Sequence, residues 1–180
     1  ILPHARENLQ AISLGVTITA MPRVSVLMPC YNAAGTVDET LSSLTVQTME
    51  DFEVLCVDDG SEDETLGILK TWAARDSRFR VLSCPHRGII PALNEGLDEA
   101  RAPYVARLDA DDLALPDRLD LQVNFLDQHP NVDLVSCLVE AFPEDQVREG
   151  FRIYIQWLNS LVTHEDIQRE IFVESPMAHP

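Results

Sequence analysis

Asp109-Ala110-Asp111 is the sharpest chemical feature of the sequence: two carboxylates spaced i, i+2, directly after the apolar run Tyr104 to Leu108. Where a chain turns at such a place, the two side chains can converge. Hard oxygen donors of this kind suit Mg²⁺ or Mn²⁺, which keep their remaining positions for water and phosphate oxygens. The same tripeptide is also common as a solvated acidic loop ahead of a helix, here the one that Pro116 would open. Asp58-Asp59-Gly60-Ser61 follows another apolar run. It reads either as a strand-to-helix turn with Ser61 as N-cap or as a carboxylate able to accept an N–H from a nucleobase. Tyr31-Asn32 offers an aromatic face for stacking or a packing aromatic. His86-Arg87 reads as a solvated loop, or Arg87 offers a cation for a phosphate or base.

The elements that must position these groups follow from periodicity. Val24 to Met28, Phe52 to Val57, Phe79 to Ser83, Tyr104 to Leu108 and Val132 to Leu138 are short apolar runs bounded by polar residues, the pattern of strands buried on both faces. Between them lie helical spacings. Gly35 to Thr48 has Val37, Leu41, Leu44 and Thr45 on one face, and Glu62 to Arg75 has Leu66, Leu69 and Trp72/Ala73. Ile89 to Ala100 has Ala92, Leu93, Leu97 and Ala100 inward, and a fourth helix runs from Pro116 to about Gln128. Such alternation predicts an α/β fold, a Rossmann-like, mostly parallel sheet with helices on both faces. Ligands of these sheets sit beyond the carboxyl ends of the strands, where all four polar clusters fall.

After Leu138 the alternation stops. Glu140 to Gly150 is expected as a loop, Phe151 to Leu161 as a helix, and Thr163 to Phe172 as a second helix opened by a capping-box-like Thr163 and Asp166. Residues 1–20 read as a poorly ordered N-terminal extension, since Met21-Pro22-Arg23 looks like a natural start and no basic segment followed by an apolar block precedes it. The ending at Ser175 to Pro180 looks like a cut.

Thirty acidic against 13 basic side chains give a formal net charge of −17, which disfavours a nucleic-acid backbone or an anionic leaflet as partner. A small phosphorylated ligand remains compatible, because a bound divalent cation inverts the local sign. Cys30, Cys56, Cys84 and Cys137 form no C-x-x-C pair and are expected to be reduced and buried, which fits a cytosolic chain. No apolar stretch is long enough for a transmembrane segment.

Taken together, Val24 to Asn32, Gln47-Thr48, Val57 to Ser61, Gly88 with Ala92-Leu93-Asn94, Ala106 to Asp112 and Pro116 to Leu119 closely resemble the family 2 glycosyltransferases, over Arg23 to about Cys137. The resemblance implies the A-type glycosyltransferase fold and inverting transfer from a nucleotide-diphosphate sugar, with UDP-sugar favoured, in polysaccharide or glycoconjugate synthesis. It implies that Tyr31 stacks on the base, that Asp59 hydrogen-bonds it, and that Pro29 and Asn32 shape the same pocket. Arg87, Gly88 and Asn94 would line the nucleotide or sugar-phosphate side. Asp109 would face the ribose or the metal and Asp111 would ligate Mn²⁺ or Mg²⁺, with Arg107 and Arg118 supporting the acidic cluster.

On this basis residues 21–138 would be the nucleotide-sugar-binding domain and 139–180 the start of an incomplete acceptor-side half. The general base would lie beyond Pro180, with His164-Glu165-Asp166 a helix-opening decoy. The partners would be the donor and a glycan or lipid-linked glycan acceptor, at the inner face of the membrane. A non-catalytic nucleotide-binding domain is the alternative. A nucleotidyltransferase fits less well, because Pro29 to Gly35 holds one glycine and no Lys or Arg. A phosphoacceptor signalling domain would need an acidic pair after the first strand and a late Lys, and has neither.

Overall fold

The computed structural model describes residues 21–178; the extension expected at residues 1–20 lies outside the described residues. Four strands form one parallel sheet: β1 (Val24–Cys30), β2 (Phe52–Asp58), β3 (Phe79–Ser83) and β4 (Tyr104–Arg107), in the order β3-β2-β1-β4. Helices α1 (Val37–Thr45), α2 (Thr65–Arg75), α3 (Ile89–Glu99) and α4 (Arg118–Gln128) follow the strands in turn. Val24 of β1 is in register with Phe52 of β2 and with Tyr104 of β4, so the carboxyl ends of all three strands open on one rim.

Strand alternation sends neighbouring side chains to opposite faces. Val24, Val26, Met28 and Cys30 of β1 join Val54 and Cys56 of β2 in a core completed by Val37, Leu41 and Leu44 of α1, Leu69 of α2, and Leu119 and Val123 of α4. Leu27, Leu55 and Val57 point the other way and are buried beneath α3. Helices therefore cover both faces, as the α/β pattern requires. The α3 contact is made by Ala92 and Gly96, one turn apart, rather than by Leu97, which is expected inward and is exposed. A Cβ at Gly96 would stand 3.0 Å from Cγ2 of Val57 and 3.3 Å from Cδ2 of Leu27. This close backbone approach fixes the rotation of α3 and turns Leu97 to solvent.

The amino-terminal edge of the sheet is tied by a buried polar cluster. Glu53 accepts from Ser25 Oγ (2.8 Å), Arg80 Nη1 (2.9 Å) and the Arg101 backbone N–H (2.9 Å). Burial acts to raise the Glu53 pKa, but these donors and the Arg80 charge outweigh it and hold the group below the ordinary range.

The predicted fifth strand, Val132 to Leu138, does not form: no strand is assigned after β4 among the described residues, and Leu134 and Leu138 are exposed. The side chain of Asn159 holds Val139 instead, through its N–H and its C=O. Lacking a ladder, the segment leaves Cys137 exposed, which corrects the expectation of four buried cysteines; Cys84 is half-buried, and only Cys30 and Cys56 are fully enclosed. Helices α5 (Glu149–Ser160) and α6 (His164–Glu170) follow. Thr163 and Asp166 form the capping box, and Arg169 pairs with Asp166 at 2.8 Å. The Asp166 carboxylate is thus committed to its own helix.

Candidate functional site

The strand ends β1, β2 and β4 and the loop after β3 surround a cavity of about 520 Å³. Its lining includes Pro29, Tyr31, Asn32, Asp59, Gly88, Asp109 and Asp111 of the residues singled out in the sequence. It also includes His86, from the polar cluster expected at the end of β3, and Cys30 and Thr36, which the sequence did not place there.

The turn after β1 is zipped to the turn after β2. Asn32, in the left-handed region at φ 50°, donates its N–H to Ser61 Oγ (3.0 Å), and its own Oδ1 accepts from the Glu62 N–H (2.9 Å). The Ala33 N–H donates to Thr65 Oγ1 (2.8 Å). Small polar side chains thereby satisfy backbone groups at both helix entrances and leave Tyr31, 45% exposed, standing on the rim. Cys30 beneath it is inert: burial first, then the negative charges of Asp58 and Asp109, pushes its thiol up to about 12.

Asp59 is buried at the end of β2. Its Oδ1 accepts the Arg87 backbone N–H and its Oδ2 the Gly88 backbone N–H, both at 2.8 Å, and His86 Nδ1 lies 2.8 Å from Oδ2. Burial alone would raise the pKa of this carboxyl; the two backbone donors and His86 outweigh it and keep the group ionised below the ordinary aspartate range. Gly60, at φ 70°, permits this arrangement, since a Cβ there would come within 2.7 Å of the His86 backbone nitrogen. Arg87 enters through its backbone, while its guanidinium pairs with Glu95 at 2.7 Å. Asn94 lies on the exposed side of α3 and is not among the cavity-lining residues.

The acidic turn after β4 is clamped from α1. Thr36 Oγ1 and Thr40 Oγ1 both donate to the Ala110 carbonyl, at 2.9 and 3.0 Å. Arg107 grips Asp109 through Nε (3.0 Å) and Nη2 (2.9 Å) in a bidentate pair. Arg118 supports the strand end by donating Nη2 to the Arg107 carbonyl (2.9 Å). Gln47, buried, holds the following loop by donating to the Leu115 carbonyl (2.7 Å) and accepting from the Leu119 N–H (3.1 Å). Asp111 is exposed and lines the cavity. Asp112 is set deeper; burial, then Asp111 and Asp109, raises its pKa. The hydroxyls of Thr36 and Thr40 are the supports that spacing alone could not reveal, because nothing in a helix sequence shows which carbonyl a threonine will meet.

Among the described residues no three His, Cys, Asp or Glu side chains form a cage able to hold a metal. A cation held by one or two carboxylates and completed by phosphate oxygens and water, the manner in which Mg²⁺ is commonly bound, needs no such cage, and Asp109 and Asp111 both line the cavity. No Lys or Arg is among the residues lining the cavity, whereas Asp59, Asp109 and Asp111 are.

The fold is α/β and Rossmann-like, and comparison with known proteins makes the family definite. The profile of glycosyl transferase family 2 matches residues 25–180, and the chain belongs to that family. An uncharacterized glycosyltransferase of Haemophilus influenzae is 32% identical over 160 residues, covering 87% of this chain and 49% of the relative. Among solved structures, the mannosyltransferase PcManGT of Pyrobaculum calidifontis, in complex with GDP-Man and Mn²⁺, superposes with a TM-score of 0.62 at 33% identity, over 68% of this chain and 37% of that one. TarS 1-349 of S. aureus, in complex with UDP-GlcNAc, gives 0.58 at 28% identity, over 71% and 38%. The chain spans about half the length of the curated relatives it matches. No helix among the described residues is long and apolar enough to cross a membrane.

Proposed function

We propose that the cavity binds a nucleotide-diphosphate sugar, UDP-sugar favoured, with Mn²⁺ or Mg²⁺, for inverting transfer of the sugar to an acceptor hydroxyl in polysaccharide or glycoconjugate synthesis. The observation that carries this reading is the charge of the cavity. Three carboxylates and no lysine or arginine line it, so a diphosphate is repelled unless a divalent cation intervenes. The aromatic Tyr31 and the acceptor Asp59 lie on the same cavity as the Asp109 and Asp111 pair, in keeping with a base at one end and a diphosphate at the other. The absence of a basic phosphate cradle likewise disfavours the nucleotidyltransferase reading.

In this mechanism Tyr31 stacks the base, and Asp59, held ionised by its backbone donors, accepts a base N–H. Asp109, oriented by Arg107, faces the ribose or the metal, and Asp111 ligates the metal. When bound, the cation neutralises charge developing on the diphosphate leaving group. Residues 21–138 serve as the donor-binding part and 139–180 as the beginning of the acceptor side. The base that deprotonates the acceptor is a group other than Asp166, whose carboxylate is committed to its capping box. The acceptor is a glycan or lipid-linked glycan, reached from the cytoplasm at the inner face of the membrane.

PcManGT carries GDP-Man and TarS carries UDP-GlcNAc, so the identity of the base is the quantity to measure. Calorimetric and thermal-shift titrations with UDP, GDP and dTDP, with and without Mn²⁺, should show metal-dependent stabilisation by one nucleotide that Asp111→Ala abolishes. Equal binding without metal, or with Asp111→Ala, would overturn the assignment of the acidic pair.

A further inference from the structure

His86 reads in the sequence as a loop residue after β3. In the structure its imidazole stacks on the Tyr31 ring, with centroids 4.0 Å apart and planes inclined by 19°. Its Nδ1 lies 2.8 Å from Oδ2 of Asp59 and 3.0 Å from the Asp59 carbonyl oxygen. A flat heteroaromatic ring on Tyr31 and a ring N–H directed at Asp59 are the two contacts assigned above to a nucleobase. One side chain of the protein already makes both.

The hydrogen bonds at Asp59 decide which contact can yield. Two of its three close donors are the backbone N–H groups of Arg87 and Gly88. They belong to a loop whose backbone abuts Gly60 so closely that not even a Cβ fits between them. Neither can leave unless the loop is rebuilt. The third donor is the His86 ring, on a side chain 52% exposed, against 5% for Asp59. It needs only a side-chain rotation to move into water. With two backbone donors retained, Asp59 stays oriented and ionised, and the vacated lone pair faces the ring N–H of whatever flat molecule takes the place of the imidazole.

We propose that His86 is an internal stand-in for the nucleobase and so a determinant of nucleotide affinity: it fills the Tyr31–Asp59 slot when no nucleotide is bound, and a base with a ring N–H binds by displacing it. The inference rests on the nucleotide reading of the cavity. The stand-in keeps Tyr31 and Asp59 in binding geometry at the cost of a competition that each incoming base must win.

The test is calorimetric titration of the wild-type chain and of His86→Ala with UDP and with GDP, each with Mn²⁺, together with the imidazole ¹⁵N resonances of wild-type His86 at rising nucleotide. Removing the stand-in should tighten nucleotide binding by about three- to tenfold, since one hydrogen bond and one stack no longer have to be broken. In the wild type, the His86 Nδ1 resonance should move from a carboxylate-bonded to a water-exposed position as nucleotide saturates. Nucleotide binding by His86→Ala where the wild type shows none also supports the inference. If the wild type binds and His86→Ala binds equally or more weakly, His86 is a wall of the site or a bystander and the inference is overturned. Should His86→Ala fail to fold, unchanged His86 resonances at saturating nucleotide overturn it. Binding by neither protein overturns the nucleotide reading itself, and this inference with it.

Discussion

Phe52 to Asp58 and Val132 to Leu138 are similar apolar runs, yet one is the most deeply buried strand of the molecule and the other is not a strand. Every residue of β2 is buried, between β1 on one side and β3 on the other. Leu134 and Leu138 are 68% and 66% exposed. Composition does not separate them; neighbours do. A buried strand needs a ladder partner for its backbone groups as well as a covered face for its side chains. β2 receives both from residues near it in the chain, whereas the later run has no ladder partner among the described residues. The same contrast divides the whole chain. Residues 24–128 bury nearly all of the core, while α5 and the residues just after α6 leave Phe151, Ile153, Ile171 and Phe172 exposed.

The comparison is sharpened most by truncating one side chain in the buried region. Leu41 is fully enclosed between α1 and the sheet. Leu41→Ala should cost about 2–5 kcal/mol, the usual range for a leucine cavity, read as a shift in the urea midpoint at constant slope. A cost below about 1 kcal/mol would mean that the core is far looser than its burial indicates.

Gly60→Ala comes next, because it tests the rim rather than the core. The added methyl meets the His86 backbone at 2.7 Å, on a residue at φ 70°. A penalty of about 1–3 kcal/mol follows from the backbone conformation alone, and the loop must retreat from Asp59. The unfolding midpoint and the nucleotide affinity should therefore fall together in this variant. An unchanged midpoint would show that the turn tolerates a side chain and that the loop is not pinned.

How much of this was legible in the sequence depends on whether the information was local. The alternation of strand and helix through α4 was legible because each apolar run sits beside its own helix and both faces are covered. The rim was legible because polar residues end each strand. Three features were not. The fifth strand failed because hydrophobicity signals burial only when a partner exists. The rotation of α3 was misjudged because the helix meets the sheet through Ala92 and Gly96, and a count of large residues favours Leu97. The contacts of His86 and of the Thr36–Thr40 clamp escaped notice because their partners, Tyr31 with Asp59 and the Ala110 carbonyl, are 27 to 74 positions away in the chain.

Acid should separate the wild type from Glu53→Gln by a smaller margin. The folded pKa of Glu53 lies below its ordinary value of 4.5, so its stabilising effect is complete above that value and is lost as pH falls through the folded pKa. Stability measured from pH 7 downward should decline less steeply in Glu53→Gln than in the wild type below about pH 4.5. Parallel profiles would mean that Ser25, Arg80 and the Arg101 N–H bind a neutral side chain equally well.

The smallest effect is expected where the comparison began. Leu134 has the side chain of Leu41 but is 68% exposed, so truncation opens no cavity and removes little area from a nonpolar setting. Leu134→Ala should stay within about 0.5 kcal/mol of the wild type, as exposed substitutions do. The two leucine variants, measured under the same conditions, isolate the contribution of position from that of residue type. A cost for Leu134→Ala approaching that of Leu41→Ala would mean that residues 132–138 are buried in solution and that the run behaves as a strand after all.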